Sequence, residues 1–281
     1  MLTKTIFSKF TLGTLGVLLT AAVFSGCDSK MESTQDNTAS QAQTEKIIVG
    51  ATPEPHAIIL EQIKPLLEKD GIVLEIKEFT DYVTPNKSLD DGSLDANFFQ
   101  HKPYLDSFNQ EHKTNLVSVG GIHIEPMGVY SKTIKNLEEL QEGDLISLPN
   151  DPSNGARALR ILEKNGLIAL KGDVELVSVQ DIVENPKGLK FKEIDAPQLA
   201  RTLDDVSASV INTNFALLAG LNPLNDAIAI EDKDSPYANI LVVKAGNENN
   251  PNIQKLINAL QSEKVKQFIT EEYKGAILPS F

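Results

Sequence analysis

The sequence contains no tryptophan and a single cysteine, Cys27. One thiol excludes an intrachain disulfide and any metal site built from several cysteines. Basic side chains are also short, with 26 Lys and Arg against 39 Asp and Glu, a formal charge of −13. That balance argues against nucleic acid, whose phosphates need clustered Lys and Arg. It argues equally against electrostatic adhesion to anionic lipid. No GxSxG turn, GxGxxG loop after a strand, phosphate loop or HExxH is present, so nothing local supports an activated nucleophile or a hydrolase. His56, His101, His112 and His123 are not at mutual metal-ligand spacing, and no metal or other cofactor is expected. The remainder is globular in composition: 41% hydrophobic, 6% aromatic and 23% charged over 281 residues, enough for one large domain or two small ones.

No apolar run reaches the ~20 residues that a spanning helix needs. The apolar or small stretch at residues 10–24, behind Lys4 and Lys9, reads as a secretory signal core. It ends Val23-Phe24-Ser25-Gly26-Cys27. Small residues directly before a sole cysteine resemble the bacterial lipoprotein processing box, although Phe24 stands where an aliphatic residue is usual. The resemblance implies a signal peptide at residues 1–26, cleavage before Cys27, and lipidation of its thiol and new amino group. Membrane attachment is then through lipid. Asp28 follows, a residue that in Gram-negative lipoproteins goes with retention at the inner membrane. The expected location is the cell envelope, at the outer face of the inner membrane or the cell surface. The stretch 28–45 (DSKMESTQDNTASQAQTE) has almost nothing to bury, so residues 27–45 are read as the lipidated cysteine and a disordered tether. As a flexible coil it would span roughly 20–25 Å.

From Lys46 onward short apolar runs alternate with helical stripes. Residues 46–51 form a strand, and Pro53 and Pro55 open a helix with a stripe of Ile59, Ile63, Leu66 and Leu67, stopped at Asp70-Gly71. Strands follow at 72–76, 94–99 and 116–119, the last ending before Gly120-Gly121, with a helix from Pro103 to Lys113. The pattern restarts with strands at 127–131, 145–148, 189–194, 207–211, 227–231 and 240–243, and helices at 151–164, 197–203 and 251–270. Such alternation predicts an α/β protein of two lobes with parallel-rich sheets.

Several strings are long and ungapped: DYVTPN at 81–86, DANFFQHKPYL at 95–105, PNDPSNGARAL at 149–159 and EDKDSPYAN at 231–239. With VENP at 183–186, APQL at 196–199 and VIN at 210–212, they closely resemble the NlpA/MetQ family of methionine-binding lipoproteins over nearly all the mature chain. The resemblance implies a two-lobed type II periplasmic-binding-protein fold with two crossover strands between lobes. Lobe 1 would comprise residues 47–128 plus 240–281, and lobe 2 residues 129–239, with the crossovers near 127–131 and 231–239. It implies no enzyme. The expected role is a substrate-binding lipoprotein of an ABC importer, taking L- or D-methionine in the cleft and passing it to the permease and its ATPase. A methionine-containing dipeptide, another small solute, or a surface lipoprotein or adhesin role stays open.

The residues support two readings each. A free carboxylate wants the bidentate fork that Arg supplies and Lys does not. Arg157 lies just after a string rich in helix-capping residues, where the helix dipole adds to its charge; alternatively it is a surface residue paired with Glu163. Asn212 and Asn239, at strand ends, offer donor and acceptor without charge, or serve as turn residues. The resemblance gives both a binding role. A thioether favours an apolar, polarisable wall. Asn97, Phe99 and His101 are two apart and would face one side of an extended segment. The resemblance implies that Tyr82, Phe99 and His101 wall the side-chain pocket and that Phe98 points into the core; otherwise Phe99 is core and His101 caps the next helix. His56, after the first strand, is a further candidate in a ligand-facing loop.

Overall fold

The computed structural model describes residues 45–281, apart from Asp173, Lys233 and Asp234. The signal peptide, Cys27 and nearly all of the tether lie outside the described residues.

The chain opens with β1 (Glu45–Ala51), whose Ile47, Val49 and Ala51 are buried. Helix α1 (Ile58–Lys69) begins later than its prolines suggest, because Glu54 takes an extended conformation (φ −128°, ψ 137°) that interrupts the turn at Pro53–Ala57. Ile59, Leu60, Ile63 and Leu67 form its buried stripe, and Gly71, at φ +76°, ends it. There follow β2 (Ile72–Glu78), α2 (Thr84–Asp90), β3 (Ala96–His101), α3 (Lys102–His112) and β4 (Leu116–Ile124). Strand β4 runs straight through Gly120-Gly121. A Cβ on Gly120 would sit 3.0 Å from Gln261 and 3.1 Å from Ile257, so the glycine lets a helix lie close against the strand instead of ending it.

Residues 125–127 lead to a second group: β5 (Gly128–Tyr130), β6 (Leu145–Pro149), α4 (Pro152–Lys164), the β7 (Ala169–Leu170) and β8 (Ile182–Glu184) hairpin, β9 (Lys190–Ile194), β10 (Ala208–Ile211), α5 (Thr213–Leu218) and β11 (Ala227–Ile230). A 3-10 helix at Ala196–Asp204 stands where an α-helix at 197–203 is expected. Residues 231–237 lead back to β12 (Ala238–Lys244), α6 (Pro251–Leu260), α7 (Glu263–Tyr273) and β13 (Leu278–Pro279).

One six-stranded sheet has the order β13-β4-β12-β3-β1-β2, and a five-stranded sheet the order β11-β5-β10-β6-β9. Both are mixed and not parallel-rich. Strands β1, β2 and β3 are parallel, but β12 runs antiparallel to β3 and β4. In the second sheet β5 runs antiparallel to β10 and β11. The physical reason is that β5 and β12 arrive from the opposite sheet and enter against the local direction. Each sheet has its own core: Val49, Ile63, Leu241, Leu256 and Ile269 in the first, Val129, Ile146, Leu148, Leu159 and Val210 in the second. Aromatic residues fill the space between. Tyr82 packs against both the Phe99–Tyr104–Phe108 cluster and the Phe215–Leu199–Tyr130 cluster.

Candidate functional site

A small cavity lies between the two sheets, lined by Tyr82, Phe99, His101, Arg157, Asn212 and Asn239 among others. All six expected residues therefore meet on one surface.

Arg157 is brought there by α4. Asp151 caps this helix by accepting the Asn154 N–H at 2.8 Å, with Pro152 at its first turn. Only 3% of Arg157 is exposed, which overturns its reading as a surface residue; Arg160 is the one that pairs with Glu163, at 3.0 Å. The guanidinium is already engaged. Nε donates to Glu231 Oε1 at 2.9 Å, while Nη2 donates to Glu231 Oε2 and, at 2.7 Å, to the Glu125 carbonyl. The Tyr237 ring covers it, 4.3 Å from centroid to Cζ. One side chain thus grips both inter-sheet links. Among the described residues, its Nη1 has no hydrogen-bond partner.

A chain of amides sets the orientation of the neighbouring polar groups. The Asp151 carboxylate accepts from Asn154 Nδ2, at 3.0 Å to each oxygen. Asn154 Oδ1 then faces the cleft, where it meets His101 Nε2 at 3.0 Å and Asn212 Nδ2 at 2.8 Å. His101 Nδ1 accepts the Tyr104 N–H at 3.2 Å, so the ring proton sits on Nε2. His101 therefore caps α3 and lines the cavity at once. Burial first, and the Arg157 charge second, pull its pKa down to about 3, leaving the ring neutral. With its Nδ2 committed, Asn212 keeps a buried Oδ1 that has no partner among the described residues. Asn214 is the converse: its Oδ1 accepts the Tyr82 O–H at 2.6 Å, and its Nδ2 is buried and unpaired. The cavity thus holds an unspent acceptor on Asn212 and unspent donors on Arg157 and Asn214.

The opposite wall is aromatic. Tyr82 lies 5.9 Å from Phe99, 5.7 Å from Tyr104 and 5.0 Å from Phe215, ring centre to ring centre. Phe98 is fully buried in the first core. The strict two-residue alternation expected along β3 does not hold, however. β12 pairs Leu241 with Phe98 and Ile240 with Gln100, so Phe99 is the extra residue of a bulge. Asn97 consequently bonds Gln100 at 2.9 Å and Asn86 at 2.8 Å in a buried amide cluster, while Phe99 and Gln100 both reach the cavity.

His56 lies behind the cavity and not on it. Its Nδ1 is 2.7 Å from Thr52 Oγ1, and its Nε2 is 3.0 Å from Asn239 Oδ1 and 3.3 Å from Glu125 Oε1. His123 Nε2 is 2.7 Å from the same Glu125 oxygen. Among the described residues these three side chains are the group that could offer ligands to a metal ion, and folding gathers them from positions that have no metal spacing in the chain. Burial lowers His56 to a pKa of about 4 and His123 to about 3, and raises that of Glu125. A cation would require both Nε2 protons to move to Nδ1, and His123 Nδ1 is buried without a partner among the described residues. The arrangement fits one imidazole donating to the carboxylate and the other to the Asn239 amide better than a metal centre.

Sequence reasoning missed Glu125, Asn154, Asn214 and Glu231. The best signal was Glu125 itself, an acid between two apolar strands in Ile124-Glu125-Pro126-Met127.

Comparison with known proteins adds an independent finding. The profile of the NlpA lipoprotein family matches residues 47–281. The methionine-binding lipoprotein MetQ of Bacillus subtilis is 42% identical over 281 aligned residues, covering 96% of this chain and 98% of that protein. The structure of a nutrient binding protein from Burkholderia cenocepacia bound to methionine superposes with a TM-score of 0.82 at 47% identity, covering 84% of this chain and 100% of that one. An ABC transporter periplasmic substrate-binding protein from Coxiella burnetii gives 0.80 at 42% identity, covering 83% and 100%.

Proposed function

Because the chain belongs to the NlpA lipoprotein family, one of substrate-binding proteins and not of enzymes, we propose that it binds methionine in the inter-sheet cavity and delivers it to an ABC importer. The observation that carries this reading is the set of unspent polar atoms beside an aromatic wall. A zwitterion needs donors for its carboxylate and acceptors for its ammonium. Arg157 Nη1 and Asn214 Nδ2 supply the first; Asn212 Oδ1 supplies the second, with Asn239 Oδ1, which already accepts from His56 Nε2, beside it. The thioether lies against Tyr82, Phe99 and His101, where sulfur–aromatic contact contributes roughly 0.3–1.5 kcal/mol per contact.

In this reading the molecule is of the type II periplasmic-binding class. The links at 125–127 and 231–237 are the crossovers about which lobe 1 and lobe 2 close; they fall short of the expected 127–131 and 231–239 because Gly128–Tyr130 already pairs in the second sheet and Ala238 in the first. Cys27 carries the lipid that keeps the protein at the membrane, and the partners are the permease and ATPase of the importer.

The test is a thermal-denaturation screen against L-methionine, D-methionine, the other amino acids and methionyl dipeptides. Binding to the folded state alone stabilises it by about 2.7 kcal/mol at a hundredfold excess over Kd. A shift with methionine and little with the others is expected. No shift with any methionine-containing compound would overturn the proposal, and a larger shift with a dipeptide would move the ligand to that class.

A further inference from the structure

We propose that Glu125 is the counter-ion of the ligand's ammonium, and that it makes a free α-amine a requirement for binding. This rests on the reading of the cavity as an amino-acid site.

The two formally charged residues that line the cavity are Arg157 and Glu125. Glu231 already neutralises Arg157 through two hydrogen bonds. The uncompensated charge facing the cavity is therefore the negative one of Glu125. A carboxylate left alone in a desolvated site is costly, and neither neighbouring imidazole supplies a positive charge. Both rings are buried to within 1% of their surface and neutral: His123 Nε2–H donates to its Oε1 at 2.7 Å, while His56 Nε2–H donates to Asn239 Oδ1 and stands 3.3 Å from the same carboxylate oxygen. An ammonium entering the cavity supplies the missing charge.

Geometry agrees with this. An ammonium has three N–H donors and accepts nothing. Three acceptors converge on the cavity: Asn212 Oδ1, buried and without a partner among the described residues; Asn239 Oδ1, held 3.0 Å from His56 Nε2; and the Glu125 carboxylate. His56 touches both Asn239 and Glu125, so it fixes the spacing of two of the three. His56 and His123 are positioning residues in this scheme: they stand behind Oε1, and a carboxylate has acceptor capacity beyond one oxygen. The Glu125 backbone carbonyl accepts from Arg157 Nη2 at 2.7 Å. The residue that meets the ammonium and the residue that meets the carboxylate are thus tied to each other directly.

The consequence is selectivity by charge at one atom. Methionine and a dipeptide with amino-terminal methionine keep the ammonium. N-Acetylmethionine replaces it with an amide that has one donor and no charge, leaving Glu125 unpaired.

The experiment is calorimetric titration of wild type, Glu125→Gln and Glu125→Asp with L-methionine and with N-acetyl-L-methionine. Wild type should prefer methionine by more than about 30-fold, the size expected when one partner of a buried charged pair is removed. In Glu125→Gln that preference should fall to within about threefold, through loss of methionine affinity with that for the acetylated compound unchanged or improved. Glu125→Asp keeps the charge and should retain a preference, so the result stands even if Glu125→Gln fails to fold. Wild-type binding with a preference unchanged in Glu125→Gln, or abolished in Glu125→Asp while that variant stays folded, would overturn the counter-ion. Absence of methionine binding by wild type would instead overturn the amino-acid site itself.

Discussion

His101 and Asn154 meet across the cleft, Nε2 to Oδ1 at 3.0 Å, one on the strand β3 of the first sheet and the other in the first turn of α4 beside the second. Asn154 Oδ1 also accepts from Asn212, so one oxygen serves both a bridge between the sheets and the orientation of a cavity amide.

Asn154→Ala removes that oxygen and leaves two buried donors unsatisfied. At about 1–3 kcal/mol for each such group, the variant should melt several degrees lower and bind methionine at least tenfold more weakly. Calorimetry with a parallel thermal melt checks both. Wild-type affinity in Asn154→Ala would show that Asn212 keeps its orientation by other means.

Arg157→Ala should abolish methionine binding, but its effect reaches further than the ligand. Glu231 is left in a largely buried place without its partner, a loss of about 3–5 kcal/mol by the usual cost of breaking such a pair. The double variant Arg157→Ala with Glu231→Gln should recover much of the stability and none of the binding. Chemical denaturation of the two single variants and the double variant separates the structural role from the ligand role.

Acid should destabilise the fold before carboxylates are the cause. His56, His101 and His123 have folded pKa values of about 4, 3 and 3 against an ordinary 6.5. Below about 6.5 the unfolded chain binds protons that the folded rings refuse, so their contribution is whole above that pH and lost on descending toward 4. Each costs more than about 1 kcal/mol per pH unit inside that window. Glu125 and Asp151, whose pKa values burial raises, act in the opposite sense as they take up protons. The denaturation midpoint should fall between pH 7 and pH 5. A flat midpoint would mean that the rings titrate in the folded state much as in the unfolded chain, or that proton uptake by Glu125 and Asp151 offsets them.

Gly128→Ala should be destabilising by about 1–3 kcal/mol, the range for overpacking a filled core. Its Cβ would stand 2.7 Å from the Tyr130 ring, and Tyr130 is packed with Leu199, Phe215 and Tyr82 and has little room to yield. Equilibrium unfolding measures the loss. An unchanged midpoint would show that this aromatic cluster can shift.

What could be read in the sequence follows physical rules of short range. Apolar periodicity located α1, whose buried stripe is clean, a short apolar run located β1, and the Asn165-Gly166 stop marked the end of α4. Periodicity missed α2 and α5, whose seven and six residues are too few to show a stripe. It also gave a parallel bias to both sheets, since a strand's direction depends on where the chain comes from and not on its own residues. In the site, Arg157, Asn212, Asn239, Tyr82, Phe99 and His101 were legible through long strings and the chemistry of a zwitterion. Glu125, Asn154 and Glu231 act through partners distant in the chain: Arg157 and Glu231 are 74 positions apart. The bulge at Phe99 is a property of its pairing with β12, so alternation within β3 alone could not show it.

Tyr82 belongs to the aromatic clusters of both sheets, and the chain has five tyrosines and no tryptophan. Tyr82 and Tyr104 line the cavity and Tyr237 covers Arg157, so three of the five stand at the cleft. With no indole to drain their excitation, their emission is the whole ultraviolet fluorescence of the protein. Loading and release of a ligand can then be followed in real time on the unlabelled molecule, by exciting phenol rings that the fold itself has put around the cavity.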